Sequence, residues 1–255
     1  MRTNHLQKCL VALCLAGAVV LSGCVFNVDR ISQEKSGQVS SIGLTAASID
    51  LSGYSDNIAV SGTSDSIVKV TTTVSEMAIS GSDESALDQL SIFIAKNGAT
   101  GTVAYSYPAG SDKWELIRTE GMTLTCYESL EVSARTTSGN ITLTGIKGGL
   151  SLKTTSGNVT ADVVSKCDIS VTSGNIEVTV KPDSGFSSAT LKTTSGNIKV
   201  HVPKSLMADL ALKTTSGKIE TPGNDHSLLN GGNAAVVISC TATSGNITIE
   251  EYDVN

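Results

Sequence analysis

From Val132 to the C-terminus the chain alternates apolar and polar residues in paired short runs, and each pair of runs flanks the same tripeptide, Thr-Ser-Gly. Period-two alternation is the mark of a β-strand with one buried face. The tripeptide occurs six times, with its glycine at Gly139, Gly157, Gly174, Gly196, Gly217 and Gly245, at spacings of 18, 17, 22, 21 and 28 residues. Aligned on that glycine, the copies sort into columns. Seven residues before it stand Val132, Leu150, Cys167, Ala189, Leu210 and Ile238. Five before it stand Ala134, Leu152, Ile169, Leu191, Leu212 and Cys240. Two residues after it come Ile141, Val159, Ile176, Ile198, Ile219 and Ile247, and four after it Leu143, Ala161, Val178, Val200, Thr221 and Ile249. Only Thr221 breaks the apolar pattern. The outward positions between these columns carry Arg135, Lys153, Lys192 and Lys213 before the turn, and Thr142, Thr160, Glu177, Lys199, Glu220 and Thr248 after it.

The pattern predicts an all-β fold, a single-stranded β-solenoid (β-helix-like) of stacked coils of about 18 residues. Each coil is a strand, a Ser-Gly-Asn turn, a second strand and a variable return. One coil cannot bury its own apolar face, whereas stacked coils form continuous ladders. A buried Ile, Leu or Val in such a ladder contributes about 1.5–3 kcal/mol. Glycine accepts positive φ at the turn. The Asn that follows it in five copies (Asn140, Asn158, Asn175, Asn197, Asn246) can form a ladder from coil to coil; the remaining copy has Lys218. A sandwich or up-and-down barrel also gives short alternating strands, but neither needs one tripeptide at every second strand.

Residues 41–130 repeat the scheme less regularly, as degenerate coils and a cap; residues 131–255 are the regular part. Ser55-Asp56-Asn57-Ile58 and Ser64-Asp65-Ser66-Ile67 echo the turn, and strands are expected near Leu90–Lys96, Thr102–Tyr107, Trp114–Arg118 and Met122–Cys126.

The N-terminus reads as an address. Arg2 and Lys8 precede the apolar run from Leu10 to Leu21, and no acidic residue occurs before Asp29. A run of about a dozen residues is short for a spanning helix, which needs roughly 20. It ends in Leu21-Ser22-Gly23-Cys24, which resembles the lipobox of bacterial lipoproteins. The resemblance implies a signal peptide over residues 1–23, cleavage between Gly23 and Cys24, and a lipidated tether over 24–40. Two or more acyl chains on Cys24 give durable membrane attachment. Without residues 1–23 the chain holds 16 Lys and Arg against 24 Asp and Glu, a net charge of −8, which disfavours nucleic acid as a partner. The membrane, an envelope protein or a glycan are the partners that fit, and the expected location is the cell envelope, outside the cytoplasm.

Repeated Leu-Lys-Thr-Thr-Ser-Gly-Asn-Ile units behind such a signal resemble the DUF4097 family of β-strand-repeat proteins, described as adhesin-like. The resemblance covers roughly residues 45–252. It implies a β-helix-like fold and supplies no catalytic or ligand motif.

Chemistry is otherwise sparse. His201 and His226 are 25 residues apart with no His-Glu-x-x-His arrangement, and no Gly-x-Ser-x-Gly elbow or phosphate loop occurs. No catalytic residue, metal site or cofactor is predicted. Cys126, Cys167 and Cys240 read as small buried hydrophobes. A stack in chain order puts Cys167 and Cys240 three coils, about 14 Å, apart. Two surfaces are candidates for binding: the cationic column Arg135, Lys153, Lys192 and Lys213, which suits an acidic glycan but reads first as a solvated face that discourages edge pairing; and the aromatic group Tyr105, Tyr107, Trp114 and Tyr127, which suits sugar stacking but reads first as the filling of an irregular cap. Glu250, Glu251 and Asp253, placed on the last coil, would block end-to-end stacking. The expected role is a non-enzymatic, adhesin-like surface lipoprotein. The alternatives are an accessory component of envelope-stress signalling and a glycan-active enzyme.

Overall fold

The computed structural model describes residues 20–21, 24–25, 28–40, 43–51, 57–79, 91–106, 117–182, 185–223, 226–233 and 235–254. Every regular element among them is a β-strand. Strands β1 (Val20–Leu21) and β2 (Cys24–Val25) pair as a small antiparallel ribbon. There follow β3 (Val28–Ser40), β4 (Ala46–Leu51), β5 (Ile58–Thr63), β6 (Ile67–Ile79), β7 (Ser91–Asn97), β8 (Thr100–Ser106) and β9 (Ile117–Tyr127). The repeats supply β10 (Glu131–Ser138) and β11 (Ile141–Thr144), β12 (Leu150–Ser156) and β13 (Val159–Val163), β14 (Cys167–Ser173) and β15 (Ile176–Val180), β16 (Ser188–Ser195) and β17 (Ile198–Pro203), and β18 (Ala208–Ser216) and β19 (Ile219–Glu220). The short β20 (Leu228–Leu229) precedes the last pair, β21 (Val237–Ser244) and β22 (Ile247–Tyr252).

Two ten-stranded sheets hold all but the first ribbon. Sheet I runs β7-β8-β4-β10-β12-β14-β16-β21-β18-β20, and sheet II runs β3-β6-β9-β5-β11-β13-β15-β17-β22-β19. Each Thr-Ser-Gly corner carries the chain from sheet I to sheet II. The inward columns pair in register, Val132 with Leu150, Leu150 with Cys167 and Cys167 with Ala189, while Ile141, Val159, Ile176 and Ile198 do the same opposite them. Their side chains are buried and form one core. A further inward column, three residues before the glycine, holds the buried threonines Thr136, Thr154 and Thr193. Thr154 Oγ1 donates to Gly139 O at 3.1 Å and Thr193 Oγ1 to Gly174 O at 3.1 Å, so the hydroxyls tie one coil's corner to the next. The sequence pattern did not reveal this column, because threonine is polar by composition and buried only by virtue of that bond.

The stacking order departs from a simple solenoid. Four coils follow one another from β10 to β17, but the sixth repeat, β21 and β22, enters between the fourth (β16, β17) and the fifth (β18, β19). The opposite end mirrors this. The coil β4–β5 lies inside, between β8–β9 and β10–β11, through parallel pairings on both sides. Antiparallel strands then close the stack: β3 and β6 on sheet II, β7 on sheet I and β20 at the far end. All repeats carry the same columns, so every register between them is equally apolar, and the sequence pattern alone leaves their order open.

Three more expectations are corrected. The tether predicted for 24–40 is strand over most of its length, since β3 pairs with β6 in unbroken register from Val28↔Ile79 to Ser40↔Ile67. Its polar residues suit an edge strand, where charge discourages further pairing. Gly37 lets β3 lie against β7 at this end; a Cβ there would sit 2.6 Å from Ile92 O and 2.7 Å from Phe93 Cα. The echo Ser64-Asp65-Ser66-Ile67 is not a coil corner but the bend leading into antiparallel β6, whereas Asn57-Ile58 joins the corner ladder and pairs Ile58 with Ile141. Ile117 and Arg118, from the strand expected near 114–118, and the strand expected near 122–126 belong to the single strand β9, and residues 114–116 lie outside the described residues.

Candidate functional site

The coil corners form the most regular feature of the surface. The side-chain oxygen of each corner Asn accepts the backbone N–H of the next corner, in the spatial order Asn57, Asn140, Asn158, Asn175, Asn197, Asn246, at 2.8–2.9 Å. The last step is from Asn246 Oδ1 to the N–H of Lys218 at 2.9 Å. The ladder is thus side chain to backbone, and it stops at the one repeat without Asn. Lys218 ends the stack and has no further coil to serve. Thr221, the other irregular residue, belongs to the same terminal coil, where Leu212 and Ile219 are also only partly buried.

The outer face of sheet I carries the predicted cationic column. Register places Arg135 beside Lys153, Lys153 beside Ser170, Ser170 beside Lys192, Lys192 beside Thr241 and Thr241 beside Lys213. All four cations are exposed. Exposed threonines flank them two residues on: Thr155, Thr172, Thr194, Thr243 and Thr215. Sheet II instead brings a group of opposite charges together. His201 Nε2 lies 3.1 Å from Glu177 Oε1 and its Nδ1 3.5 Å from Glu250 Oε2, while Lys199 Nζ is 3.0 Å from Glu250 Oε2. The contact of His201 with Glu250 depends on the pairing of β17 with β22, which is invisible in the sequence without the coil order. Glu250 and Glu251 therefore lie on an internal coil, and the view of them as terminal guards is corrected. Asp253 follows on the same segment and meets Lys204 at 2.8 Å.

Cys126, Cys167 and Cys240 are buried and free. Burial pushes the Cys126 thiol up to about 11 and the Cys167 and Cys240 thiols up to about 12. Cys167 and Cys240 lie two strands apart rather than three, about 10 Å at one strand spacing of ~4.8 Å, which is still beyond disulfide reach. Of the aromatic candidates, Tyr107 and Trp114 lie outside the described residues. Tyr105 belongs to sheet I and Tyr127 to sheet II, so these two share no sheet. Cys24 opens β2, and the proposed cleavage would separate β2 from β1. Gly23 lies outside the described residues. Among the described residues no three His, Cys, Asp or Glu side chains gather as a metal set, and no helix is long and apolar enough to cross a membrane.

A stack of two mostly parallel sheets with laddered corners defines the class: an all-β repeat protein of solenoid-like build. Residues 130–250 match the family model described as Toastrack DUF4097. No curated protein matches the sequence at a significant level. Among solved structures, the chain is similar to a "putative cell adhesion protein" from Clostridium sporogenes, with 13% identity and a TM-score of 0.54, over 87% of this chain and 100% of that one. It is also similar to a "putative adhesin" from Parabacteroides merdae, with 14% identity and a TM-score of 0.42, over 85% of this chain and 81% of that one. At such identities the likeness is one of fold.

Proposed function

We propose that the protein is a non-enzymatic, adhesin-like lipoprotein of the cell envelope, anchored through Cys24 and presenting the long faces of its sheets to a partner. The observation that carries this reading is the build of the stack. Its interior is filled by apolar columns, and its corners are fixed by repeated side-chain and glycine contacts, so what varies from coil to coil is the outer surface. The lipobox at Leu21–Cys24 supplies the anchor. Cys24 lies four residues before β3, the edge strand at one end of sheet II. That end would sit at the membrane and the Lys218 coil at the far end. Nine strand spacings separate the two ends of each ten-stranded sheet, about 43 Å at ~4.8 Å each.

The test is metabolic labelling with a palmitate analogue in a bacterial host, followed by membrane fractionation. The parent chain should carry the label and sediment with membranes, and the Cys24→Ser variant should lose both properties. Label and membrane association that persist in Cys24→Ser would refute the anchor.

A further inference from the structure

In chain order the cationic column of sheet I reads Arg135, Lys153, Ser170, Lys192, Lys213, Thr241, an irregular series. In space the sixth repeat enters between the fourth and fifth, and the series becomes Arg135, Lys153, Ser170, Lys192, Thr241, Lys213. Lys153, Lys192 and Lys213 then fall on every second strand, about 9.6 Å apart along the stack. All three are exposed, and none makes a salt bridge among the described residues.

Five lysines off this line are engaged. Lys147 pairs with Glu128, Lys166 with Glu131, Lys181 with Asp162, Lys199 with Glu250 and Lys204 with Asp253. In a mature chain with eight more carboxylates than cations, three uncompensated ammonium groups at equal intervals on one straight line amount to a local reversal of sign. The columns on either side are rich in hydroxyls: Ser151, Thr190 and Ser239 on one, the exposed threonines on the other. Asp168, the carboxylate among them, lies on β14, a strand without a lysine in the column. None of the exposed large apolar residues, Ile67, Phe93, Tyr127, Met207, Leu228 and Val254, lies on this line. A protein interface is centred on such residues.

We infer that this line is a binding track for a linear acidic glycan laid along the stack, with acidic groups on alternate sugars. Charge complementarity selects a polyanion. The two-strand interval matches an acid on every second sugar, because a pyranose advances a glycan chain by about one strand spacing. The flanking hydroxyls are donors and acceptors for ring hydroxyls. The inference deepens the envelope reading above, which supplies the place where such a glycan is met.

The experiment uses the soluble mature chain, residues 25–255, so that its outcome is independent of the lipid at Cys24. Binding is measured by calorimetry to hyaluronan, which carries uronate on alternate sugars, to polygalacturonate, which carries it on every sugar, to neutral dextran, and to phosphatidylglycerol vesicles. Hyaluronan should bind at least as tightly per carboxylate as polygalacturonate, with an affinity that falls as salt rises, and dextran should not bind. Replacing the three lysines together (Lys153→Gln, Lys192→Gln, Lys213→Gln) should weaken binding about tenfold or more. Replacing the paired Lys166, Lys181 and Lys204 by Gln should leave it within about twofold. Melting temperatures of both variants are compared with the parent, and the single change Lys192→Gln carries the same comparison if the triple variant unfolds. No binding to either acidic glycan, equal losses in the two triple variants, or binding to the vesicles alone would overturn the inference, the last in favour of an anionic membrane surface.

Discussion

Glycine and asparagine in the corner have separate tasks. The glycines approach one another so closely that a Cβ on Gly174 would collide with the carbonyl of Gly157, and one on Gly196 with that of Gly174. Their φ of +147° adds a second reason for glycine. Gly174→Ala should therefore cost about 1–3 kcal/mol, as overpacking does, while the neighbouring exposed Ser173→Ala should stay within about 0.5 kcal/mol. Asn175 acts through its side-chain carbonyl oxygen, which accepts the Asn197 N–H at 2.8 Å. Asn175→Ala should cost about 0.5–1.5 kcal/mol, the usual worth of one such bond. Urea denaturation of the three variants would check the order; a Gly174→Ala loss no larger than that of Ser173→Ala would contradict the packing argument.

The thiols belong to this scale too. Burial raises the Cys126, Cys167 and Cys240 thiols because the thiolate is poorly solvated in an apolar interior. The folded protein holds them neutral where the unfolded chain would begin to ionise them near 9.0. Their support of the fold is therefore complete below that pH and is lost as pH climbs toward about 12. At pH 8 a maleimide reagent should leave all three untouched in the native state and label all three in denaturant. Native labelling at Cys240 would place that residue outside the core.

At the scale of the strand, what was legible in the sequence is what periodicity can encode. The four inward columns, the corners and the outward cations all follow from period two and a fixed tripeptide, and the structure bears them out from β10 to β17. Three features escaped for a physical reason each. The order of the last two coils is not encoded in columns that are the same in every repeat. β3 is polar along much of its length because it is an edge, so hydrophobic alternation is too weak to mark it. The sheet II cluster of Glu177, Lys199, His201 and Glu250 needs the pairing of β17 with β22. Lys218 and Thr221 were visible as exceptions, and the structure shows what they mark. This yields a prediction for elements: Leu191, fully buried on β16, should cost about 2–5 kcal/mol when changed to Ala. Leu212, the same column residue on terminal β18, is only partly buried and should cost less than half as much. Similar losses at the two sites by thermal denaturation would mean that the terminal coil is covered by something besides its own strands.

Taken as a whole, the molecule has its repeat order turned inward at both ends, and this ties the stability of the far end to the last residues of the chain. β18 and β19 make parallel pairs only with β21 and β22. β20 covers β18 only at Ala208 and Asp209. Coil five is therefore held at the end of the stack by coil six, which is synthesised after it, and the pairing of β4 with β10 likewise joins residues some 85 positions apart. Such long-range parallel pairing is slow to form, because loop closure precedes any gain from contact. Removing residues 236–255 should then release two coils, not one. The amides of Leu210–Ser216 should lose their hydrogen-exchange protection along with those of the deleted strands, while protection from β10 to β15 persists. The competing outcome has a structural basis, since β18 carries the same apolar columns as β21 and the link from β17 to β18 is short. If the truncated chain keeps Leu210–Ser216 protected, β18 has moved over to pair with β16. The order of the coils would then be set by the presence of the last repeat rather than by any preference of β18 for the end.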